Sequence, residues 1–278
     1  PAGDRSLREN LKYAYQGLYI DFGFSGKVQN DKEGKPIEST RIEVEGLNGE
    51  SCWILISDGM TRMLHGDCRI TKASPLKFLR SFLEEYSPKV ENKRVVLDQG
   101  GELFKNPQII NLFREFHYTI MPTGADASRQ NAPVERAHRT IGTAIKSVLV
   151  GAGLDIKFWP YAFHHVIRLR NAIPGQGQVM SPFQLVYKRK ENLKNLRTFG
   201  CRVYVRPPGI QPRRFKDKVR TGVFLGYLPH IIRNNIYYNL ESERVKIATH
   251  CVFDEEFNNV PVESLPPNVK HLVQVNDG

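Results

Sequence analysis

Three carboxylates stand where an α/β protein can use them. Asp21 closes the apolar run Gly17-Leu18-Tyr19-Ile20, Asp98 closes Val95-Val96-Leu97 and precedes Gln99-Gly100-Gly101, and Glu135 lies in the first turn of a long helical segment. Strand ends and helix starts of an α/β sheet share the rim where ligands bind. Three carboxylates brought together there repel one another unless divalent cations neutralise them. An all-oxygen donor set suits Mg²⁺ or Mn²⁺ rather than zinc. Two such ions, about 3.5–4 Å apart, form the clamp used for in-line phosphoryl displacement. Each acid also has a plainer reading. An Asp before Gly-Gly suits a turn, a Glu in a first turn suits the helix dipole, and Asp21 can simply end a strand. Asp58, followed by Gly59, and Glu102 are competing acids.

The elements that must position these groups can be read from hydrophobic pattern. Residues 17–22 and 95–98 read as strands ending near aspartates, and Cys52-Trp53-Ile54-Leu55-Ile56 as a buried strand. Residues 62–70 and 118–121 read as further strands. Residues 25–50, rich in Gly, Lys, Glu and Asn, read as a long hairpin loop or surface insertion. Pro75–Leu83 and Pro107–Phe116 read as helices. Val134–Val150 carries apolar residues at 134, 137, 141, 144, 145, 148 and 149, one helical face, stopped by Gly151 and Gly153. Asp155–Asn171 reads as a second long helix. Beyond about residue 195 the texture changes to short β-rich runs separated by Gly, Pro and Asn turns. The expected division is a flexible arm at 1–15, an α/β core at 16–175, a basic linker at 176–197, a small all-β module at 198–258 and a tail at 259–278.

Composition narrows the class of partner. The 278 residues carry 40 Lys+Arg against 29 Asp+Glu, a net charge of +11. Nearly all of that excess lies between Lys188 and Arg220, where twelve basic residues face only Glu191 and Asp217. Clustered cations are favoured by counterion release from a polyanion, so the expected partner is nucleic acid. No apolar run approaches the ~20 residues of a membrane span, and the first ten residues contain no apolar signal region. Four cysteines without a CxxC spacing exclude a disulfide scaffold and a zinc ribbon, and imply free thiols. Near Glu135, the residues His138, Arg139, Gly142 and Lys146 fall at +3, +4, +7 and +11, so they read as a cationic face beside the acid. Gln130 and Asn131 read as helix-capping residues that can also touch DNA. In the β module, Arg202, Arg206, Arg213, Arg214 and Lys216 read as backbone-contacting cations.

Several ordered motifs bear a resemblance. Gln130-Asn131-Ala132-Pro133-Val134-Glu135-Arg136-Ala137-His138-Arg139-Thr140 resembles the Gln-Asn-Gly-x-x-Glu-Arg-x-x-Arg-Thr signature of copia-type retrotransposon integrases. Asp98-Gln99-Gly100-Gly101-Glu102-Leu103-Phe104 resembles that family's Asp-Asn-Gly-x-Glu-Phe segment. Between Asp98 and Glu135 lie 36 residues, in keeping with its Asp–Asp–(about 35)–Glu triad. Ser57-Asp58-Gly59-Met60-Thr61-Arg62, Phe158-Trp159, Leu169-Arg170-Asn171, Ser181-Pro182-Phe183, Thr198-Phe199-Gly200-Cys201, Gly222–Tyr227 and Val252-Phe253-Asp254-Glu255 follow in the family's order. The likeness runs over roughly 16–256. Gln99 replaces an Asn of the pattern and Ala132 a Gly, and the family's His-His-Cys-Cys zinc module has no counterpart in these residues.

The resemblance implies an RNase H-like mixed sheet flanked by helices, followed by a small all-β SH3-like module. It implies that Asp21, Asp98 and Glu135 hold two Mg²⁺ (or Mn²⁺) ions. The implied activity is 3′-end processing and strand transfer of element DNA into target DNA, in the nucleus after cytoplasmic synthesis. The implied partners are element and target DNA, further copies of the chain and other Pol-derived proteins, with no membrane. The alternative is a domesticated or decayed copy that binds nucleic acid without catalysis.

Overall fold

The computed structural model describes residues 11–30, 36–42, 44–97, 102–122, 131–206, 219–228 and 234–256, with backbone alone for 27–30, 36–42 and 122. Its first sheet is built around β1 (Gly17–Phe24). β1 pairs antiparallel with β4 (Cys52–Asp58) on one side and parallel with β6 (Lys93–Leu97) on the other. β5 (Leu64–Arg69) and β7 (Tyr118–Pro122) complete the order β5-β4-β1-β6-β7. A central strand covered on both faces needs apolar side chains on both, and Leu18, Tyr19 and Ile20 are all buried. The segment expected as a hairpin contains one: β2 (Lys27–Asn30) pairs antiparallel with β3 (Pro36–Ile42).

Helices cover this sheet through apolar stripes at helical spacing. α1 (Leu76–Tyr86) buries Leu79, Phe82 and Leu83. α2 (Pro107–Glu115) buries Ile109, Leu112 and Phe113, and begins with Pro107 after Asn106, whose side chain accepts from the Gln108 amide. Both stripes join the core formed by Leu18, Ile20, Ile54, Ile56, Val95 and Leu97. The long helix α3 (Ala132–Gly151) starts where the Asn131 carbonyl accepts from the amides of Val134 and Glu135. α4 (Trp159–Ala172) follows a short 3₁₀ turn that Asp155 caps. The stretch expected as linker contains α5 (Pro182–Tyr187), capped by Ser181, and a 3₁₀ turn at Leu193–Asn195.

The all-β part forms a separate antiparallel sheet of order β11-β10-β9-β8-β12. Its strands are β8 (Arg202–Val205), β9 (Arg220–Tyr227), β10 (Asn235–Asn239), β11 (Arg244–Ala248) and β12 (Cys251–Asp254). Cys201, Val203, Val205, Phe224 and Tyr237 form its core. Gly222 is required where it stands, since a Cβ there meets the Tyr237 ring and the Tyr238 carbonyl at 2.5 Å. The fold class read from the sequence, a helix-flanked mixed sheet followed by a small all-β module, is the one observed. By contacts the chain divides into two units, Pro1–Gly142 with Ile167–Glu191, and Thr143–Val166 with Asn192–Gly278, so the division falls inside α3 and α4. The four cysteines are free thiols. Among the described residues no helix is long and apolar enough to cross a membrane.

Candidate active site

Asp21 does not end its strand. β1 continues to Phe24, still paired with Cys52, so Asp21 is held in mid-strand opposite Leu55. The extension depends on Gly23. Gly23 sits opposite Trp53 in the β1–β4 register, and the indole occupies the space a Cβ would need. A glycine inside a strand often marks such a close approach. The Asp21 carboxylate remains partly exposed; Oδ1 accepts from the Phe22 amide at 2.8 Å, and Oδ2 faces His138.

His138, expected among the DNA-facing cations, projects inward from α3 to Trp53 and Asp21. Its Nδ1 accepts from the Trp53 indole N–H at 3.0 Å. Because an indole only donates, the ring proton of a neutral imidazole then lies on Nε2. Nε2 stands 3.7 Å from Asp21 Oδ2, an electrostatic contact rather than a hydrogen bond, and has no hydrogen-bond partner among the described residues. Burial lowers the His138 pKa to about 4, so the ring is uncharged at neutral pH. The contact ties the central strand to the helix that carries Glu135.

Glu135 is exposed and lies one turn before His138, a spacing that puts the two side chains about 5–6 Å apart at Cβ. Arg139, Gly142 and Lys146 continue its side of α3, and Arg139 and Lys146 are exposed. Asn131 is expected from the sequence to cap the helix and to be able to touch DNA. It is 4% exposed, it caps α3 through its carbonyl, and its Oδ1 has no hydrogen-bond partner among the described residues. Arg202 stands opposite Asp254 in the β8–β12 register, and Arg206, just after β8, is exposed. Asp98, Gln130, Arg213, Arg214 and Lys216 lie outside the described residues. β6 ends at Leu97, paired in parallel with Ile20, immediately before Asp98.

The competing acids are occupied elsewhere. Asp58 is 1% exposed; Oδ1 accepts from the Tyr15 amide at 2.8 Å, and Oδ2 accepts from the Thr61 amide at 2.8 Å and its hydroxyl at 2.6 Å. It therefore builds the β4–β5 turn. Glu102 pairs with Lys72 at 3.4 Å. Sequence reasoning missed the Trp53–His138–Asp21 contact, and its one available signal was Gly23 inside a strand opposite an aromatic. No group of three or more His, Cys, Asp or Glu able to hold a metal occurs among the described residues. Asp21 and Glu135 offer the hard oxygen donors that Mg²⁺ or Mn²⁺ takes, so the chemistry of these two residues fits such an ion.

In sequence the chain is homologous to copia-type retrotransposon Pol polyproteins, and it carries a retroviral-type SH3-like module. Residues 201–266, which include all five strands of the second sheet, match the family described as the retroviral polymerase SH3-like domain. The chain is 32% identical over 164 residues to the retrovirus-related Pol polyprotein from transposon RE1 of Arabidopsis thaliana, and 29% identical over 164 residues to that from transposon RE2 of the same plant. Each alignment covers 57% of this chain and 11% of the relative, so the chain corresponds to a small part of those polyproteins. A simian T-cell lymphotropic virus intasome, solved by cryo-EM with the PP2A regulatory subunit B56 gamma, aligns with TM-score 0.47 and 10% identity over 87% of this chain and 79% of that one.

Proposed function

We propose that the chain is a metal-dependent DNA integrase of a copia-like retrotransposon, processing the 3′ ends of element DNA and joining them to target DNA. The observation that carries this reading is the Asp21–His138 contact, which ties a mid-strand carboxylate on the central strand to the first turns of the helix bearing Glu135. Asp21, Asp98 and Glu135 are the proposed holders of two Mg²⁺ or Mn²⁺ ions, and when bound these would supply Lewis acidity at the attacking and leaving oxygens. In each step an oxygen, from water in processing and from a DNA 3′-hydroxyl in joining, forms a bond to phosphorus and loses its proton. The opposite P–O bond breaks and the departing 3′ oxygen takes up a proton. Asp21 is fixed by its strand, by the Phe22 amide and by His138, so its carboxylate is set before substrate arrives. Arg139 and Lys146 continue the Glu135 side of α3 and provide cations where the phosphate backbone must run. Joining two ends requires two sites, so the working form is a multimer on DNA, acting in the nucleus.

The test is Mn²⁺-dependent strand transfer from a short duplex with a recessed 3′ end into a supercoiled target. Wild type joins and Glu135→Gln, with an unchanged melting temperature, does not. Joining by Glu135→Gln at the wild-type rate overturns the assignment.

A further inference from the structure

On the flank of α3 away from Glu135 lies a pocket of about 230 Å³. α3 lines it with Pro133, Arg136, Ala137, Thr140 and Ile141, positions that recur at helical spacing. At 100° per residue these point roughly opposite to Glu135, Arg139, Gly142 and Lys146. The pocket therefore lies on a different side of α3 from Glu135.

Its other walls bring two more arginines to the same space. Arg62 comes from the β4–β5 turn and Arg170 from the end of α4. Two hydrogen-bonded clasps hold those walls. Asp58 fixes the turn as described above, and Arg62 closes it by donating its amide to the Asp58 carbonyl at 3.0 Å. Asn171 grips Leu64 in both directions, Oδ1 accepting from the Leu64 amide at 2.9 Å and Nδ2 donating to the Leu64 carbonyl at 2.8 Å. The neighbour of Asn171 in sequence, Arg170, is thereby anchored beside β5. The arginine side chains thus rise from a prearranged frame.

The chemistry offered is that of donors. Arg170 forms no hydrogen bond or ion pair among the described residues. The one carboxylate lining the pocket, Asp58, has both oxygens engaged inside the turn. Ser57 is 4% exposed, lines the pocket, and its hydroxyl makes no hydrogen bond among the described residues. Arg62 holds φ 63, a left-handed conformation that glycine adopts far more easily. Three arginines line this one cavity, and the planar guanidinium is the group that matches the oxygens of a phosphate.

We propose that this pocket binds a phosphodiester of a nucleic-acid backbone, as a second DNA contact on the opposite side of α3 from Glu135. The identity of the phosphate carrier rests on the integrase reading; the anion site itself does not. Binding is measured by fluorescence anisotropy of a labelled short duplex with the full chain, in EDTA, over a series of salt concentrations. Wild type is compared with Arg62→Gln/Arg170→Gln, with the charge-retaining Arg62→Lys/Arg170→Lys, and with single Arg170→Gln. The double Gln variant is expected to bind all duplex sequences more weakly, with a log–log salt slope smaller by about two, and the single variant by about one. The Lys pair retains most of the slope. Among the described residues the Arg170 side chain has no hydrogen-bond or ion-pair partner, so Arg170→Gln remains informative should the double variant fail to fold.

An unchanged slope in folded Gln variants overturns the proposal. So does loss of inorganic pyrophosphate binding with duplex binding intact, which would mark a free-anion site. Joining that depends on Glu135, together with an unchanged slope, retires the pocket alone. A reduced slope in a chain that never joins DNA retires the integrase reading and leaves the pocket standing.

Discussion

Replacing Gly23 by Ala tests whether the Trp53–His138 hydrogen bond truly sets the approach of α3 to the central strand. Gly23 faces Trp53 directly across the β1–β4 ladder. A Cβ at this position runs into the Trp53 indole, at Nε1 and Cε2, and comes within 2.7 Å of His138 Nδ1. One methyl therefore strikes both partners of one hydrogen bond. Neither can retreat easily, because Trp53 is 6% exposed and His138 is enclosed. Overpacking a filled site costs about 1–3 kcal/mol. Separating the indole N–H from its acceptor while both stay buried adds about 1 kcal/mol or more. The sum, about 2–4 kcal/mol, corresponds to a fall in melting temperature of roughly 4–16 °C for a domain of 150–250 residues. The assay is thermal unfolding followed by circular dichroism, with the Trp53 indole N–H resonance observed in parallel. Gly142→Ala is the internal control. Gly142 lies within α3 and a Cβ there meets nothing within 4 Å, so alanine gains about 0.5–1 kcal/mol of helix stability. If Gly23→Ala melts with wild type and leaves the indole resonance in place, the indole does not fill the glycine's space and the account of Asp21 positioning fails.

Two further outcomes follow from the same geometry. In EDTA, the His138 pKa of about 4 lies below its unfolded value of about 6.5, so the unfolded chain takes up the proton first. The stability His138 contributes as a neutral ring is intact above about pH 6.5 and is lost as pH falls towards 4, on the order of 3 kcal/mol; melting curves of wild type and His138→Gln must converge across that window, and parallel curves refute it. Arg62→Gly relieves the left-handed residue by about 0.5–1 kcal/mol, raising the melting temperature by roughly 1–4 °C, while lowering the salt slope of duplex binding by about one. A variant that is no more stable, or that binds duplex with an unchanged slope, contradicts the role given to Arg62.

The layout of the sheet was legible because its strands are short apolar runs and its helices carry stripes such as Leu79–Phe82–Leu83 and Ile109–Leu112–Phe113. The β module was legible from the change of texture after residue 195. What escaped was set by side chains meeting across long separations. Nothing near residue 138 announces that its ring turns towards Trp53, 85 residues earlier, because +3 and +4 positions share a helix side and only packing decides which is drawn inward. The strand containing Asp21 runs past its apolar residues to Phe24 for a similar reason. Gly23 looks like a breaker until the indole opposite it is known. Asp58 and Asp21 are alike as isolated acids beside apolar strands. They are told apart by three donors on Asp58, one of them from Tyr15, 43 residues away.

The neutrality of His138 bears on which role Asp21 can take. A protonated imidazole 3.7 Å from Oδ2 would form an ion pair with the carboxylate and compete with any divalent cation for it. Burial against Trp53 prevents that protonation at neutral pH, and the indole N–H fixes the remaining proton on Nε2. The ring then offers Asp21 a dipole that orients it, and no charge that neutralises it. The first turns of α3 bring to that carboxylate a neutral His138 on the inner side and, one turn earlier, the exposed carboxylate of Glu135. That combination raises the local demand for positive charge, and the cations Arg139 and Lys146 are displaced along the helix by one turn and by three. A neutral His138 therefore places no positive charge against Asp21 that would compete with a divalent cation for its carboxylate.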